Sequence, residues 1–565
     1  MKYSFLSAAM ALAFAGLAGD ALACTNLIAT KGAMVDGSNV VTYAADSHTL
    51  YGELYHQPAA DHPKGAMRKV VEWDTGKLLG EIPEVAHTYN VVGNMNEHQL
   101  VIAESTWGGR KECQDTTGNS IIDYGSLIYI TLQRAKTARE AIDIMADLVD
   151  KYGYASSGES FSIVDKDEVW VMEMIGKGSA QKGAVWVAVR IPDGAISGHA
   201  NQPRIRQVDF KDKKNVRYSK DVVDFARKNG WFKGKDKDFA FADVYEDYEY
   251  GTLRGCDARV WSFFRHFNKD ADKYFAWVDG ESTEPMPLYI FPDRKITLAE
   301  MQERMRDHFE DTPYDMTQDI GAGPNKVPYR WRPMDFTVDG KTYSHERAIA
   351  TQQTGWSFVA QVRPEMPDPV GGLLWFGTDD ANTCVYMPFY CGMTEIPLEV
   401  RQGNGDMNTY SDTSNFWMTN RVANQAYHRY DLMIPDIRRV QSALENKYQS
   451  TRPQVEAAYI DMFNSGDRAG LAAALNAEGA RIAKEATDAY RDLDRHLLVR
   501  FMDGNMKKVD DKNQFIYSEH GMPVSPDFPG YNQEYFEQIV KTTGDKFFDK
   551  GRDIAPIKAR EAQGK

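Results

Sequence analysis

The chain has 565 residues, a formal net charge of −15, 42% hydrophobic residues and 12% aromatic residues. That composition is too apolar for a disordered chain, and its acidity argues against nucleic acid or anionic lipid as a partner. The length exceeds that of an ordinary single domain, so it implies several domains or one elaborated core.

The N-terminus reads as a processing segment. Residues 2–5 carry one Lys and no acid, residues 6–18 are apolar or small, and Ala21-Leu22-Ala23 puts small residues at −3 and −1 of a cleavage site. We therefore expect a signal peptide over 1–23, too short to persist as a membrane-spanning helix, and a periplasmic or secreted protein that begins at Cys24. No later apolar run is long enough to span a bilayer, so stable membrane insertion is not expected. Cleavage after Ala23 would give Cys24 a free α-amine of pKa near ~8, a thiol with a base already attached. A cysteine in this place also has two ordinary uses, as a lipid anchor or as half of a disulfide. Lipoprotein signals usually carry Leu at −3 and a small residue at −2, where this chain has Ala21 and Leu22. The five cysteines are Cys24, Cys113, Cys256, Cys384 and Cys391, an odd number for an exported protein. If Cys24 is the free thiol, the other four allow three connectivities. The local pair Cys384–Cys391 around Pro388 is the favoured one, which leaves Cys113–Cys256 by elimination.

Downstream, strands are expected over Thr25–Thr30 and Asn39–Tyr43, joined through the turn signals Lys31-Gly32 and Asp36-Gly37. Val70–Trp73, His87–Gly93 and Leu100–Glu104 add strands. Thr137–Tyr152 is the clearest helix, with Thr137 and Glu140 as a capping box, an apolar stripe of Ala141, Ile144, Met145 and Leu148, and Gly153 as its stop. Ser160–Asp165 and Glu168–Ile175 read as a hairpin turning at Lys166-Asp167, and Val185–Ile191 and Gly194–Ser197 continue the sheet. Helices are expected over Asp221–Lys228, Phe239–Glu246 and Leu298–Phe309, and a loop over Thr312–Arg332. Ser357–Arg363 and Leu373–Gly377 return to strand. From Pro435 the character changes to alanine-rich helical periodicity over Ile437–Tyr448, Val455–Asn464 and Gly470–Met502, with a last helix over Gln533–Lys550. Strands with helices inserted between pairs of them make an α+β layered pattern, not alternating βαβ. The boundaries drawn are a signal peptide over 1–23, a main domain over 24–434 and a helical region over 435–565.

Several common chemistries lack their residues. With twelve histidines there is still no His-Glu-x-x-His and no Cys-x-x-Cys, so zinc is poorly supported. There is no Gly-x-Ser-x-Gly elbow. Gly340-Lys341-Thr342 looks like the end of a phosphate-binding loop, but Asp335 stands where its first glycine belongs.

Cys24-Thr25-Asn26, Asp36-Gly37-Ser38, Asp46 and Asn96-Glu97 together resemble the secernin-related dipeptidases, which are cysteine peptidases of the N-terminal-nucleophile hydrolase superfamily. Further matches are Glu159-Ser160-Phe161, Trp170-Val171-Met172-Glu173, His199-Ala200-Asn201-Gln202, Arg259-Val260-Trp261, Gly355-Trp356-Ser357 and Trp375-Phe376-Gly377. The resemblance covers roughly residues 24 to 400. It implies a four-layer αββα sandwich, here with a C-terminal helical extension, and a nucleophile at the end of a central strand. Cys24 would be the nucleophile and its α-amine the base. Asp46 would hold that amine, Asn96 and Asn201 would donate to the oxyanion, and Arg259 would sit beside the thiol as a cation that lowers its pKa. The competing readings are plain ones. Asp46 would be a carboxylate at a strand end, Asn96 and Asn201 turn residues, Arg259 the partner of a surface acid, and Trp170 and Trp261 core. Glu159 and Glu173 are weighed as partners for a substrate ammonium or as salt-bridged strand acids. One position departs from the family pattern: Tyr43 stands where relatives usually carry Arg, and a phenol cannot supply that charge.

The expected activity is therefore that of an exported cysteine dipeptidase, with no metal or organic cofactor, a dipeptide or small amide as substrate, and oligomeric state left open. Its rivals are an acylase of N-acyl amino acids or β-lactams on the same fold, a lipid-anchored binding protein acylated at Cys24, and an inactive relative with a scaffold role.

Overall fold

A computed structural model describes residues 24–564, so the expected signal peptide lies outside the described residues. The chain divides into two compact units that interleave in sequence. The first holds residues up to Leu50, Ala59–Tyr89 and Leu100–Lys295; the second holds Tyr51–Pro58, Asn90–Gln99 and Ile296 onward.

The first unit contains strands β1 (Asn26–Ala29), β2 (Asn39–Asp46) and β3 (Val101–Trp107), then helices α1 (Tyr124–Leu132) and α2 (Ala138–Tyr152). Strands β4 (Gly158–Val164), β5 (Val169–Gly176), β6 (Ala184–Arg190), β7 (Ile196–His199) and β8 (Val216–Tyr218) follow. Helices α3 (Val222–Lys228) and α4 (Ala258–Phe267) and the short strand β9 (Tyr289–Ile290) complete it. Two antiparallel sheets result, ordered β9-β7-β1-β2 and β8-β6-β5-β4-β3 within this unit. They face each other, β2 lying on β3 and β4. Helices α1, α2 and α3 cover the outer face of the second sheet, and α4 covers β7 on the outer face of the first. The order is thus helix, sheet, sheet, helix. It explains why β2 and β5 are buried at every residue: a strand covered on both faces has no polar side to show.

The local signals are met by identifiable contacts. Asp36 Oδ1 accepts from the Ser38 amide at 3.1 Å and the Ser38 hydroxyl at 2.7 Å, and Gly37 takes φ 71°, which closes the turn before β2. Thr137 caps α2 by accepting from the Glu140 amide, while Glu140 reaches back to the Lys136 amide at 2.8 Å. Gly153 ends α2 at φ 79°. The buried face of α2 is Ala138, Ala141, Ile142, Met145, Leu148 and Val149, so Ile142 takes the place expected for Ile144. At the β4–β5 turn, Asp165 accepts from the amides of Asp167 and Glu168, and its other oxygen accepts from Ala138 at the start of α2.

The second unit contains β10 (Thr354–Val362), β11 (Gly372–Thr378) and β12 (Met387–Tyr390), paired antiparallel in that order. Helix α5 (Asn415–Ala426) packs on β11, and α7 (Arg468–Phe501) on β12, on α5 and on α6 (Tyr430–Asn464). The two helices expected over 437–448 and 455–464 are one continuous helix through Pro435 and Pro453. A further helix, α8, spans Gln533–Thr543. Among the described residues no helix is long and apolar enough to cross a membrane.

The expected disulfides do not form: all five cysteines carry free thiols. Cys384 packs its sulfur against Gly377 and Cys391 packs its sulfur against Gly372, at opposite ends of β11. Five residues of extended strand separate those points by about 17 Å, far beyond the reach of a disulfide.

Candidate active site

Strand pairing assembles the site. Thr25 bridges Ala44, so Cys24 lies across from the end of β2 and close to Asp46. Successive side chains of an extended segment alternate between faces. Cys24 and Asn26 point to the interior between the sheets, while Thr25 points to the outer layer. On the inner side, Cys24 Sγ lies 3.4 Å from Glu104 Oε1 and 3.6 Å from the Tyr43 hydroxyl, and Tyr43 donates a short hydrogen bond to the same Glu104 oxygen. Asn26 Nδ2 donates to the Glu104 carbonyl at 2.5 Å. Cys24, Tyr43, Asp46 and Glu104 are all buried.

Burial pushes the Cys24 thiol well above its ordinary pKa. The negative charges of Glu104 and Asp46 push the same way, against a hydrogen bond from the Asp46 main chain and one with Tyr43. The resting sulfur is therefore a thiol. Glu104 continues into a second buried carboxyl, Glu159, whose Oε2 accepts from the Thr106 hydroxyl at 3.0 Å. Burial and the neighbouring Glu104 raise Glu159 well above the carboxylate range, and burial raises Glu104 too. Two interacting carboxyls in a dry site disfavour each other's charged form. Asp74, bonded by the Tyr124 hydroxyl at 2.8 Å, is pushed up to about 6 by burial.

The outer side is built by Arg259, in the first turn of α4. Its Nη1 donates to the Cys24 carbonyl at 2.8 Å and the Thr25 hydroxyl at 2.7 Å, and its Nη2 donates to Asn201 Oδ1 at 2.8 Å and the Ala200 carbonyl at 3.2 Å. The arginine thus fixes the Cys24 backbone and the Asn201 amide together. The sulfur answers to the acids on the opposite face, and its pKa moves up, not down as a flanking cation would move it. Asn201 adopts φ 57°, which asparagine tolerates, and its Nδ2 donates to the Thr106 carbonyl at 2.6 Å. His199 bridges the Ser105 hydroxyl at 2.6 Å and the Ser162 hydroxyl at 2.7 Å, and Ser105 accepts from the Asn201 amide at 3.3 Å. Burial, with Arg204 nearby, holds His199 down to about 3, so it is a neutral spacer.

Of the five expected site residues, Cys24, Asp46, Asn201 and Arg259 come together in the first unit. Asn96 belongs to the second unit, where it ends the short strand Met95–Asn96 opposite Val91: its side chain accepts from the His98 amide at 3.0 Å and its carbonyl from Gln99 at 3.0 Å. Glu173 accepts from the main-chain amides of Arg204 and Ile205, and among the described residues no ion pair to it is formed within 4 Å. Trp170 and Trp261 are core. Sequence reasoning missed Glu104. Its signal was a lone acid closing the apolar run Leu100–Ala103, because an unpaired charge in a buried strand needs a reason. Among the described residues no group of three or more His, Cys, Asp or Glu is arranged to hold a metal ion.

The model of peptidase family C69 matches residues 23–443. The chain belongs to peptidase family C69. Among its family relatives, a "Probable dipeptidase" of Salmonella dublin is 25% identical over 396 residues, covering 66% of this chain and 82% of its own. A "Probable dipeptidase" of Latilactobacillus sakei is 24% identical, covering 67% and 76%. "Dipeptidase A" of Lactobacillus helveticus is 26% identical, covering 66% and 76%. A solved penicillin V acylase from Agrobacterium tumefaciens aligns over 69% of this chain and 94% of its own at 13% identity and a TM-score of 0.28, a likeness too slight to carry an argument.

Proposed function

We propose that the chain is an exported cysteine dipeptidase in which Cys24, freed by removal of residues 1–23, attacks the peptide carbonyl and its own α-amine serves as base. The observation that carries this reading is the seat of Cys24, a buried protonated thiol whose backbone is clamped by Arg259 and whose sulfur faces polar groups, within a peptidase family whose relatives bear the name dipeptidase. Because the sulfur is protonated at rest, the base acts during attack, as an amine on the same residue can. The α-amine takes the thiol proton as the carbon–sulfur bond forms. The oxyanion accepts from Asn201, whose Nδ2 has a second hydrogen beyond the one given to Thr106. The protonated amine then hands its proton to the leaving amine, and water activated by the same amine releases the acyl group. Asp46, buried beside Cys24, accepts from the ammonium form. Any residue left ahead of Cys24 turns the base into an amide and stops the cycle.

Intact mass of the exported protein tests the first step: we expect an N-terminus at Cys24 with no added lipid. Replacement Cys24→Ala should lower kcat/KM on dipeptides by about 10⁴-fold or more. A lipid on Cys24, or undiminished dipeptide turnover in Cys24→Ala, would end this reading.

A further inference from the structure

Three acceptor atoms around Cys24 have no donor. They are Glu104 Oε2, Glu159 Oε1 and Asn26 Oδ1, on side chains 1%, 0% and 0% exposed. A proton between the two carboxyls satisfies part of this need. It does nothing for Asn26, whose amide is fixed against the Glu104 carbonyl on the same face as the sulfur. Buried acceptors without donors cost free energy, and a buried carboxylate without a cation costs more. The groups that act most strongly on Glu159 are desolvation and other acids and hydroxyls of the same site. The α-amine that the proposed function gives Cys24 is held by Asp46, so these three acceptors are left for a second small group with N–H donors.

A primary ammonium has three such donors, and the position fits one substrate atom. The α-nitrogen of a dipeptide lies two bonds, about 2.5 Å, from the carbonyl carbon. A sulfur poised for attack stands about 3–3.5 Å from that carbon. The α-nitrogen therefore comes within about 5 Å of Cys24 Sγ, in the zone that Glu104 Oε1 occupies at 3.4 Å. Resting on the reading of Cys24 as nucleophile, we propose that Glu104, Glu159 and Asn26 form the subsite for the free α-ammonium of the substrate, which makes the enzyme selective for unblocked dipeptides over acyl amides. Tyr43 belongs to the same device. It anchors Glu104 from the position where a second cation would otherwise neutralise it. An acyl chain placed here would leave the carboxylate unpaired, and sites built to bond a substrate NH reject analogues lacking it by large factors.

The test compares alanyl-alanine with propionyl-alanine, which differ only in that amine, on the wild type and on Glu104→Gln and Glu159→Gln. We expect wild-type kcat/KM to favour the amine by about 100-fold or more. Either glutamine variant should lower that ratio at least about tenfold, whereas an effect on thiol activation alone would lower both substrates alike. Equal turnover of the two substrates by the wild type, or an unchanged ratio in both folded variants, overturns the subsite. If neither variant folds, the wild-type ratio alone decides. Dipeptide turnover that survives alkylation of Cys24 would instead refute the nucleophile itself, a separate and distinguishable failure.

Discussion

Three buried acids of the second unit and two of the first are treated differently. Glu445 accepts from Arg306 at 2.6 Å and from the Tyr386 amide at 2.9 Å, and Glu456 accepts from Arg363 at 2.8 Å. Asp436 pairs with Arg500. In the first unit, Glu104 and Glu159 lie beside Cys24 with a tyrosine, a threonine and each other for company. An acid that only has to hold a fold is cheapest when its cation comes with it. A carboxyl pair kept without a cation at a nucleophile is a place for a charge that arrives with the substrate.

The sharpest way to separate the two kinds of acid is to strip the cation from the paired kind. Arg306→Met leaves Glu445 buried with only a main-chain donor, and we expect a loss of about 3–5 kcal/mol in denaturant unfolding. The preference for alanyl-alanine over propionyl-alanine should not move. A loss under about 1 kcal/mol would erase the distinction drawn here. The unpaired kind is probed by pH. Both carboxyls titrate above the ordinary range, so acidification removes their charge early. The substrate ammonium, in turn, is lost above its pKa near ~8. KM for alanyl-alanine should therefore pass through a minimum, rising up to about tenfold per unit as pH falls through the carboxyl titration and again on the alkaline side. KM for propionyl-alanine should lack both limbs. A flat KM for the dipeptide between these limits would break the argument.

What the sequence made legible follows the range of the forces involved. The helix over 138–152 was readable because its cap, stripe and glycine stop lie within one stretch of chain. The Lys166-Asp167 turn was readable for the same reason, since Asp165 bonds residues two and three ahead of it. Cys24, Asp46, Asn201 and Arg259 could be named from short motifs, but their contacts could not. Arg259 reaches Cys24 across 235 positions, and only the strand pairing reveals that it grips the carbonyl while the sulfur turns to the other face. The helix that carries Arg259 was not anticipated, and neither was the helix Asn415–Ala426. Both are short, rich in aromatic or polar residues, and stabilised chiefly by what they pack against. Parity among cysteines suggested two bridges, of which strand geometry forbids Cys384–Cys391, because counting thiols says nothing about distance.

The smallest effect separates a strained acid from a functional one. Asp379, in the second unit, is buried. Its Oδ1 accepts from Asn420 at 3.0 Å, its Oδ2 has no partner, and its backbone sits at φ 67°. Burial pushes its pKa from 3.8 up to about 8. A carboxyl whose folded pKa is raised favours folding while it is protonated. Its contribution is intact below about pH 4 and is lost progressively as pH rises towards 8. Asp379→Asn keeps the shape, tolerates the left-handed backbone and never ionises. It should therefore gain stability relative to the wild type as pH rises, by about 1–2 kcal/mol at pH 8, limited by the amide group left without a partner. At pH 5 the two should be close. Thermal midpoints at both pH values measure this. An Asp379→Asn variant that is destabilised equally at pH 5 and pH 8 would mean that the charge is accommodated, and that an unpartnered buried acid in this protein need not wait for a ligand.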